Sequence, residues 1–343
     1  MKEKILILCC MGFCCFGCSP HREIELNDKT LRFTDFESTD SLVFAGLSNE
    51  VIEEPSEMAV HGDYLVMNSF NRTGDGFITL YSLASDSVVR TLMPKGAGPD
   101  EMYSCSICTL GDSLWLYDME KSRIGCLPMS EMLEDTLHPV QYPLSRYYYD
   151  TAMLNDTVMV GTNDVSVDKK LSFVHLKSGE IAYSGDYAYW NAKKIPVAAL
   201  VDACNCYVDV NPRTRAIALS YRYTDVLEIY DCHGKLEYAV QGPDCFDIRF
   251  RPGPTGMSKT KETRKAFVNT YVTPEHIYLL YSGCTKEEEN WSNGSELFVY
   301  SWTGTPERRY ILSQPIYTFA VDESHRCIYS FSLATSELIK ACL

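Results

Sequence analysis

The sequence predicts an all-β fold, a six-bladed β-propeller of four-stranded antiparallel blades, and three features point to it. The first is an alternation of apolar and polar positions after a two-residue turn, clearest at Gly111-Asp112-Ser113-Leu114-Trp115-Leu116-Tyr117-Asp118. Successive side chains of a strand point to opposite faces, so such alternation, rich in β-branched and aromatic residues, marks a half-buried strand. The second is recurrence: equivalent segments centre on Leu65, Leu114, Val158, Ile217, Ile277 and Ile328. Their spacing of roughly 45 to 60 residues holds four strands with turns and is too long for leucine-rich or ankyrin units. The third is the near absence of helical periodicity.

The chain opens on Lys2 and Lys4, followed by an apolar run from Ile5 to Phe16. At about 1.5 Å per helical residue this run is short for a bilayer span and fits the apolar part of an export signal. Cys15-Phe16-Gly17-Cys18 resembles a bacterial lipobox of the relaxed form found in Bacteroidota. Residues 1–17 would then be a cleaved signal and Cys18 the acylated first residue; ordinary signal cleavage, with Cys18 an incidental thiol, is the alternative. Each buried methylene of an acyl chain contributes about 0.8 kcal/mol, so several chains anchor firmly. Residues 18–30 read as a polar tether and residues 31–343 as the propeller.

Leu31-Arg32-Phe33 and Leu42-Val43-Phe44-Ala45 are strand-like segments ahead of the first full blade. Blades follow over about 55–95, 103–143, 148–186, 204–242 and 266–313. Their Gly- and Asp-centred tips, such as Gly62-Asp63 and His233-Gly234, tolerate the positive φ of tight hairpins. Ile316 to Leu343 leaves room for only three strands. An N-terminal strand is therefore expected to complete the sixth blade, which removes two exposed sheet edges.

Between the first two blades stands Lys95-Gly96-Ala97-Gly98-Pro99-Asp100-Glu101-Met102. With the lipobox and the blade rhythm, this segment resembles the TolB-like six-bladed propeller lipoproteins of Bacteroidota, which carry a Gly-x-Gly-Pro-x-Glu-Phe-like segment after an early blade. Met102 stands where the aromatic is usual. The resemblance covers nearly the whole chain and implies the fold and an envelope location, but it transfers no catalytic residue. As a phosphate cradle the glycines are a poor fit, because Pro99 lacks an N–H and no helix follows; a structural turn is expected.

A formal net charge of -15 argues against nucleic acid or an anionic membrane surface as a partner. Membrane contact is expected through the lipid anchor only, and the propeller is expected to be a monomer. Five of the fifteen cysteines lie in or at the signal. The other ten sit in strand-like contexts, as buried thiols or in one or two disulfides. Cys105-Ser106-Ile107-Cys108 and Cys204-Asn205-Cys206 would have to converge from separate blades to hold zinc, so neither metal nor cofactor is expected. The histidines show no metalloprotease spacing, and the sequence has no nucleophile elbow, P-loop or EF-hand pattern.

Topology supplies the functional expectation. In an up-and-down blade of strands A to D, the A–B and C–D connections emerge at one end, and the B–C and D–A connections at the other. The unusual segments fall in the second set, from Gly96–Met102 to Gly242–Lys265 and Gly283–Asn293, while the other face has tight turns. Long loops on a rigid frame carry binding, and Tyr, Trp and Arg dominate recognition. Tyr147, Tyr148, Tyr149, Tyr187, Tyr189, Trp190, Arg249, Arg251 and Trp291 therefore form the candidate binding face. Arg249 and Arg251 belong to a cationic stretch, read either as an electropositive patch for an acidic partner or as a solvated loop paired with its neighbours. The expected function is binding of an envelope protein or glycan without chemistry of its own. The alternative is a glycan lyase or hydrolase with carboxylates at the channel mouth.

Overall fold

The computed structural model describes residues 22–24, 30–47, 50, 52–70, 72, 76–134, 136–187 and 195–343; Cys18, Tyr189 and Trp190 lie outside them. Four short strands come first: β1 (Arg22–Ile24), β2 (Leu31–Arg32), β3 (Ser38–Leu42) and β4 (Ala45–Gly46). Blade 1 comprises β5 (Pro55–His61), β6 (Tyr64–Ser69), β7 (Ile78–Ser82) and β8 (Ser87–Leu92). Blade 2 comprises β9 (Ser106–Leu110), β10 (Ser113–Asp118), β11 (Arg123–Pro128) and β12 (Val140–Pro143). Blade 3 comprises β13 (Thr151–Asn155), β14 (Val158–Thr162), β15 (Lys169–His175) and β16 (Ile181–Asp186). A short helix, α1 (Val197–Ala203), leads into blade 4, with β17 (Cys206–Val210), β18 (Ile217–Tyr221), β19 (Val226–Tyr230) and β20 (Leu236–Gln241). The hairpin β21 (Ile248–Pro252) and β22 (Met257–Lys259) precedes blade 5, with β23 (Phe267–Val272), β24 (His276–Tyr281), β25 (Gly294–Ser301) and β26 (Pro306–Ile316). Blade 6 comprises β27 (Phe319–Asp322), β28 (Cys327–Ser332) and β29 (Glu337–Cys342), with β4 as its outer strand. The six blades fall close to the spans expected from the alternation.

Ring closure is as expected: β4 pairs antiparallel with β29, Gly46 opposite Ile339 and Ala45 opposite Lys340. The N-terminal segment does more than close the ring. β2 adds in parallel to β20 at the edge of blade 4, and β3 adds in parallel to β26 at the edge of blade 5. Residues 22–24, read from sequence as tether, pair antiparallel with β21. The segment is thus a strap across the outer edges of three consecutive blades, where unpaired N–H and C=O groups would otherwise invite edge-to-edge association.

Both faces of a blade meet a neighbour, so its middle strands are buried on both sides; every residue of β7, β18 and β19 is buried. Apolar side chains gather into one cluster at each of the six blade-to-blade contacts. Leu80 and Leu92 meet Leu114 and Leu127 between blades 1 and 2. Leu65 and Tyr81 meet Ala320 and Phe331 between blades 1 and 6, which seals the circle. One elaboration departs from the expected asymmetry of the two faces. The C–D connection of blade 2, residues 129–139, is long and lies on the tight-turn face, where Met129 and Met132 plug the groove between blades 1 and 2. Its polar, Pro-containing surface hid the two buried methionines from a periodicity reading.

Polar groups also cross between blades. Lys170 on β15 places Nζ 2.8 Å from both carboxylate oxygens of Glu228 on β19, and the hydroxyls of Tyr221 and Tyr230 each donate to Glu228 at 2.7 Å. With Lys170 2% and Glu228 0% exposed, loss of either charge strands the other in a dry interior. Lys170→Met should therefore destabilise the fold by about 3–5 kcal/mol in urea unfolding. Lys170→Met combined with Glu228→Leu should be less damaging than Lys170→Met alone; equal or greater damage would show that the pair does not act as a unit.

Candidate binding site at the channel mouth

The inner strands β5, β9, β13, β17, β23 and β27 stand around the axis in separate sheets, so each has an edge with no ladder partner. Buried backbone groups need partners, and side chains of the preceding blade supply them. Glu57 Oε2 accepts from Ile107 N–H at 2.7 Å, and Asn68 Nδ2 donates to Cys105 O at 2.7 Å. Asp150 Oδ2 accepts from Val208 N–H at 2.9 Å, and the Tyr207 hydroxyl donates to Val268 O at 2.6 Å. Asp209 Oδ2 accepts from the Thr270 hydroxyl at 2.5 Å. Burial is the main influence on these acids, opposed by the same hydrogen bonds. It pushes the carboxyl of Glu57 up to about 7, Asp150 up to about 8 and Asp209 up to about 6.

These strands enclose an axial cavity of about 550 Å³ that reaches the long-loop face. Tyr147, 54% exposed, and Phe70, 50% exposed, stand at its rim with Tyr317 and Ser292. Arg222, just past β18, lines the same mouth. Its guanidinium lies 5.1 Å from the ring centre of Tyr149, 5.6 Å from Tyr207 and 5.9 Å from Tyr223, within cation–π range. Nη1 also donates to the Tyr149 hydroxyl, and Nε is buried without a hydrogen-bond partner. Lys265 enters from the neighbouring blade, where Ala266 N–H donates to Arg222 O at 2.8 Å. Its Nζ lies 5.2 Å from the Trp291 ring, which stacks on Tyr223 at 6.3 Å. Burial, together with Arg222 and Lys259, pushes the Lys265 amine down to about 7.

Of the residues expected on the binding face, Tyr147 and Tyr149 line the cavity and Trp291 backs its wall. Tyr148 does not reach it: the side chain is 0% exposed, and its ring fills the space that a Cβ on Gly161 would enter. Consecutive residues of an extended segment face opposite ways, so a Tyr147-Tyr148-Tyr149 run cannot present all three rings to one side. Tyr187 is buried between blades 3 and 4, with its ring 5.7 Å from Lys170 Nζ. Arg249 and Arg251 are exposed on β21 and do not line the cavity. Arg249 lies 3.5 Å from Glu262, Lys261 2.7 Å from Glu287 and Arg264 3.8 Å from Asp244, so much of the cationic stretch pairs locally. Lys265 ends the Gly242–Lys265 stretch expected to be cationic, whereas sequence reasoning missed Arg222, Tyr207 and Tyr317; a usable signal was Tyr221-Arg222-Tyr223, a cation between aromatics at the start of a B–C connection.

The glycine segment after blade 1 is a turn folded around its own anion. Gly98 N–H donates to Glu101 Oε2 at 2.7 Å, and a Cβ on Gly96 would lie 2.0 Å from that oxygen, so the carboxylate fills the nest. Lys121 Nζ donates to Gly98 O at 3.0 Å and Glu101 O at 2.7 Å, and Met102 is buried between blades 1 and 2. The carboxylate that ends the recurrent alternation also holds the backbone of this connection, since Asp118 accepts from Tyr103 N–H at 3.0 Å and Ser104 N–H at 3.2 Å. All ten cysteines of the described residues are free thiols, and burial pushes those of Cys105, Cys108, Cys204 and Cys206 up. Among the described residues no three His, Cys, Asp or Glu side chains are grouped to hold a metal.

Six blades closed through the N-terminal strand, with a polar axial cavity, define a six-bladed propeller. The chain belongs to the TolB-like 6-blade propeller-like family, which it matches over residues 32–324. Similar solved structures share the fold at low identity. A presumed exported protein from Bacteroides fragilis is 8% identical with a TM-score of 0.55, over 91% of this chain and 98% of that one. A member of a family of unknown function from Bacteroides vulgatus is 10% identical with a TM-score of 0.51, over 94% of this chain and 96% of that one. A protein of unknown function from Bacteroides thetaiotaomicron is 11% identical with a TM-score of 0.50, over 93% of this chain and 75% of that one. No curated protein matches the sequence.

The raised carboxyls make stability depend on pH with a definite sign. A carboxyl held near 8 in the folded chain and near 4 when unfolded is neutral in both states at low pH. Its stabilising contribution is complete below about 4 and is lost as pH rises through about 8. The melting temperature should rise as pH is lowered from about 9 to about 6, and Asp150→Asn, which cannot ionise, should flatten that rise. Parallel curves for the two proteins would show that Asp150 is already ionised at neutral pH.

Proposed function

We propose that the protein is an exported, lipid-anchored envelope propeller that binds a glycan or protein partner at its channel mouth and performs no chemistry of its own. The observation that carries this reading is the division of labour among the polar groups of the cavity. Three of its carboxylates bind groups of the neighbouring blade, whereas Arg222 and Lys265 lie against aromatic rings and have no carboxylate within ion-pair distance among the described residues. A glycan lyase or hydrolase needs an acid or base free to exchange a proton with its substrate. Glu57, Asp150 and Asp209 instead each bind a backbone N–H or hydroxyl of the next blade. Burial raises their proton affinity, and the hydrogen bonds to the next blade oppose that rise.

Export and anchoring rest on the apolar run, the lipobox-like Cys15-Phe16-Gly17-Cys18 and the family. Tritiated palmitate supplied to cells should label the protein and fail to label Cys18→Ala; equal labelling would remove the anchor. For the binding face, a photoreactive residue at Tyr147 should capture an envelope component, whereas one at Asp156, on the tight-turn face, should not. Equal capture from both positions, or capture from Asp156 alone, would count against the channel mouth.

A further inference from the structure

The cations of this protein are distributed in an uneven way. Around the long-loop face, Arg249, Lys261 and Arg264 each have a carboxylate within ion-pair distance, in Glu262, Glu287 and Asp244. Arg213 and Arg309 are likewise matched to Glu275 and Glu296. Two cations that line the cavity are not: among the described residues, neither Arg222 nor Lys265 has a carboxylate partner. Lys265 is 6% exposed, and Arg222 has a buried Nε without an acceptor. In a chain of net charge -15, carboxylates are plentiful. A buried charge without a counterion is costly, and it is commonly matched by a ligand when the protein leaves it unmatched.

We propose that Arg222 and Lys265 form an anion subsite that takes the carboxylate or sulfate of an acidic sugar at the end of a glycan chain. This inference rests on the channel-mouth reading above and specifies its ligand. Two blades bring the cations together, because Ala266 N–H is bonded to Arg222 O and fixes Lys265 beside Arg222. The planar guanidinium can meet two oxygens of one carboxylate or sulfate at once, while the ammonium supplies a point charge from the side. Tyr149, Tyr207 and Tyr317 line the same cavity and offer flat apolar faces to the C–H surfaces of a sugar ring. A volume of about 550 Å³ accommodates a terminal residue or two, not a folded protein surface. The net negative charge elsewhere disfavours lateral binding of an acidic polymer, so the chain end is the part admitted. The lowered proton affinity of Lys265 agrees with this: burial and two like charges have removed what normally keeps an amine protonated, and an anion would restore it.

The test is a printed panel of neutral, uronate-bearing and sulfated oligosaccharides probed with the purified protein. Retention should be confined to the two acidic classes. Arg222→Met and Lys265→Met should each reduce it at least tenfold, and Lys265→Arg should retain most of it, with melting temperatures monitored for all variants. A variant that unfolds is replaced by Arg222→Lys, which keeps the charge and removes the fork, and which should weaken retention while Lys265→Arg does not. Retention of neutral sugars as strong as that of acidic ones, indifference to the substitutions, or no retention at all would overturn the inference. A short acidic peptide held better than every sugar would also overturn it, in favour of a protein carboxylate. If capture through Tyr147 persists while the panel fails, binding at the channel mouth stands and only the acidic-glycan assignment falls.

Discussion

The open inner edges of the blades are the constraint on which the rest of this structure depends. A propeller arranges its inner strands side by side around an axis without letting them pair, so every blade brings unpaired backbone groups to the wall of the channel. Water can satisfy them only if the channel stays open, and then the blades are held by apolar contact alone. Here the sequence places Glu57, Asn68, Asp150 and Tyr207 in or beside inner strands, each bonded to a backbone group of the next blade, and Asp209 bonded to the Thr270 hydroxyl there. Hydrogen bonds to such edges contribute about 1 kcal/mol each when made, and more is lost when a buried group is left without one. The polar channel is thus a product of closure before it is a product of function.

The outer edges face the same difficulty and have a different solution. Blades 4, 5 and 6 receive β2, β3 and β4 from one continuous segment, while blades 1 to 3 end on their own fourth strands. Since β4 must lie antiparallel to β29 to complete blade 6, the chain before it passes the neighbouring blades on its way, and pairing there costs little additional ordering. The strap also begins close to the proposed anchor: Arg22 lies four residues after Cys18, at most about 14 Å of extended chain. Anchoring at Cys18 would hold the β21 side of the ring near the membrane rather than leave it on a long lead.

Much of this architecture was legible because the signals that specify it are local and periodic. The alternation at Leu65, Leu114, Val158, Ile217, Ile277 and Ile328 sets blade number, and the three-strand remainder after Ile316 sets the mode of closure. The site was less legible because it is assembled across blades. Tyr148 looks like its neighbours in sequence and is separated from them by a half-turn of backbone that only the packing against Gly161 reveals. Arg249 is conspicuous in a cationic stretch but has a nearby Glu262, whereas Arg222 is marked in sequence only by its flanking tyrosines and becomes significant through Tyr149, Tyr207 and Lys265, which come from other segments. Gly96 to Glu101 was legible as a turn, although not as one that holds its own carboxylate.

The two classes of charge in the channel also explain each other. Carboxylates that bind the next blade line the same cavity and, with carboxyls pushed up to about 6 to 8, carry less negative charge at neutral pH than their number suggests. A channel lined with three fully ionised acids would repel an anion at its mouth, since the interaction between charges weakens only slowly in a low-dielectric interior. Partial neutralisation by burial lessens that repulsion while leaving the carboxyl oxygens available to accept from the neighbouring blades. Arg222 and Lys265 can then set the sign of the field at the rim of a protein whose overall charge is strongly negative. Closure of the inner edges and the proposed anion subsite are therefore compatible, because the same burial that accompanies the first reduces the charge that would oppose the second.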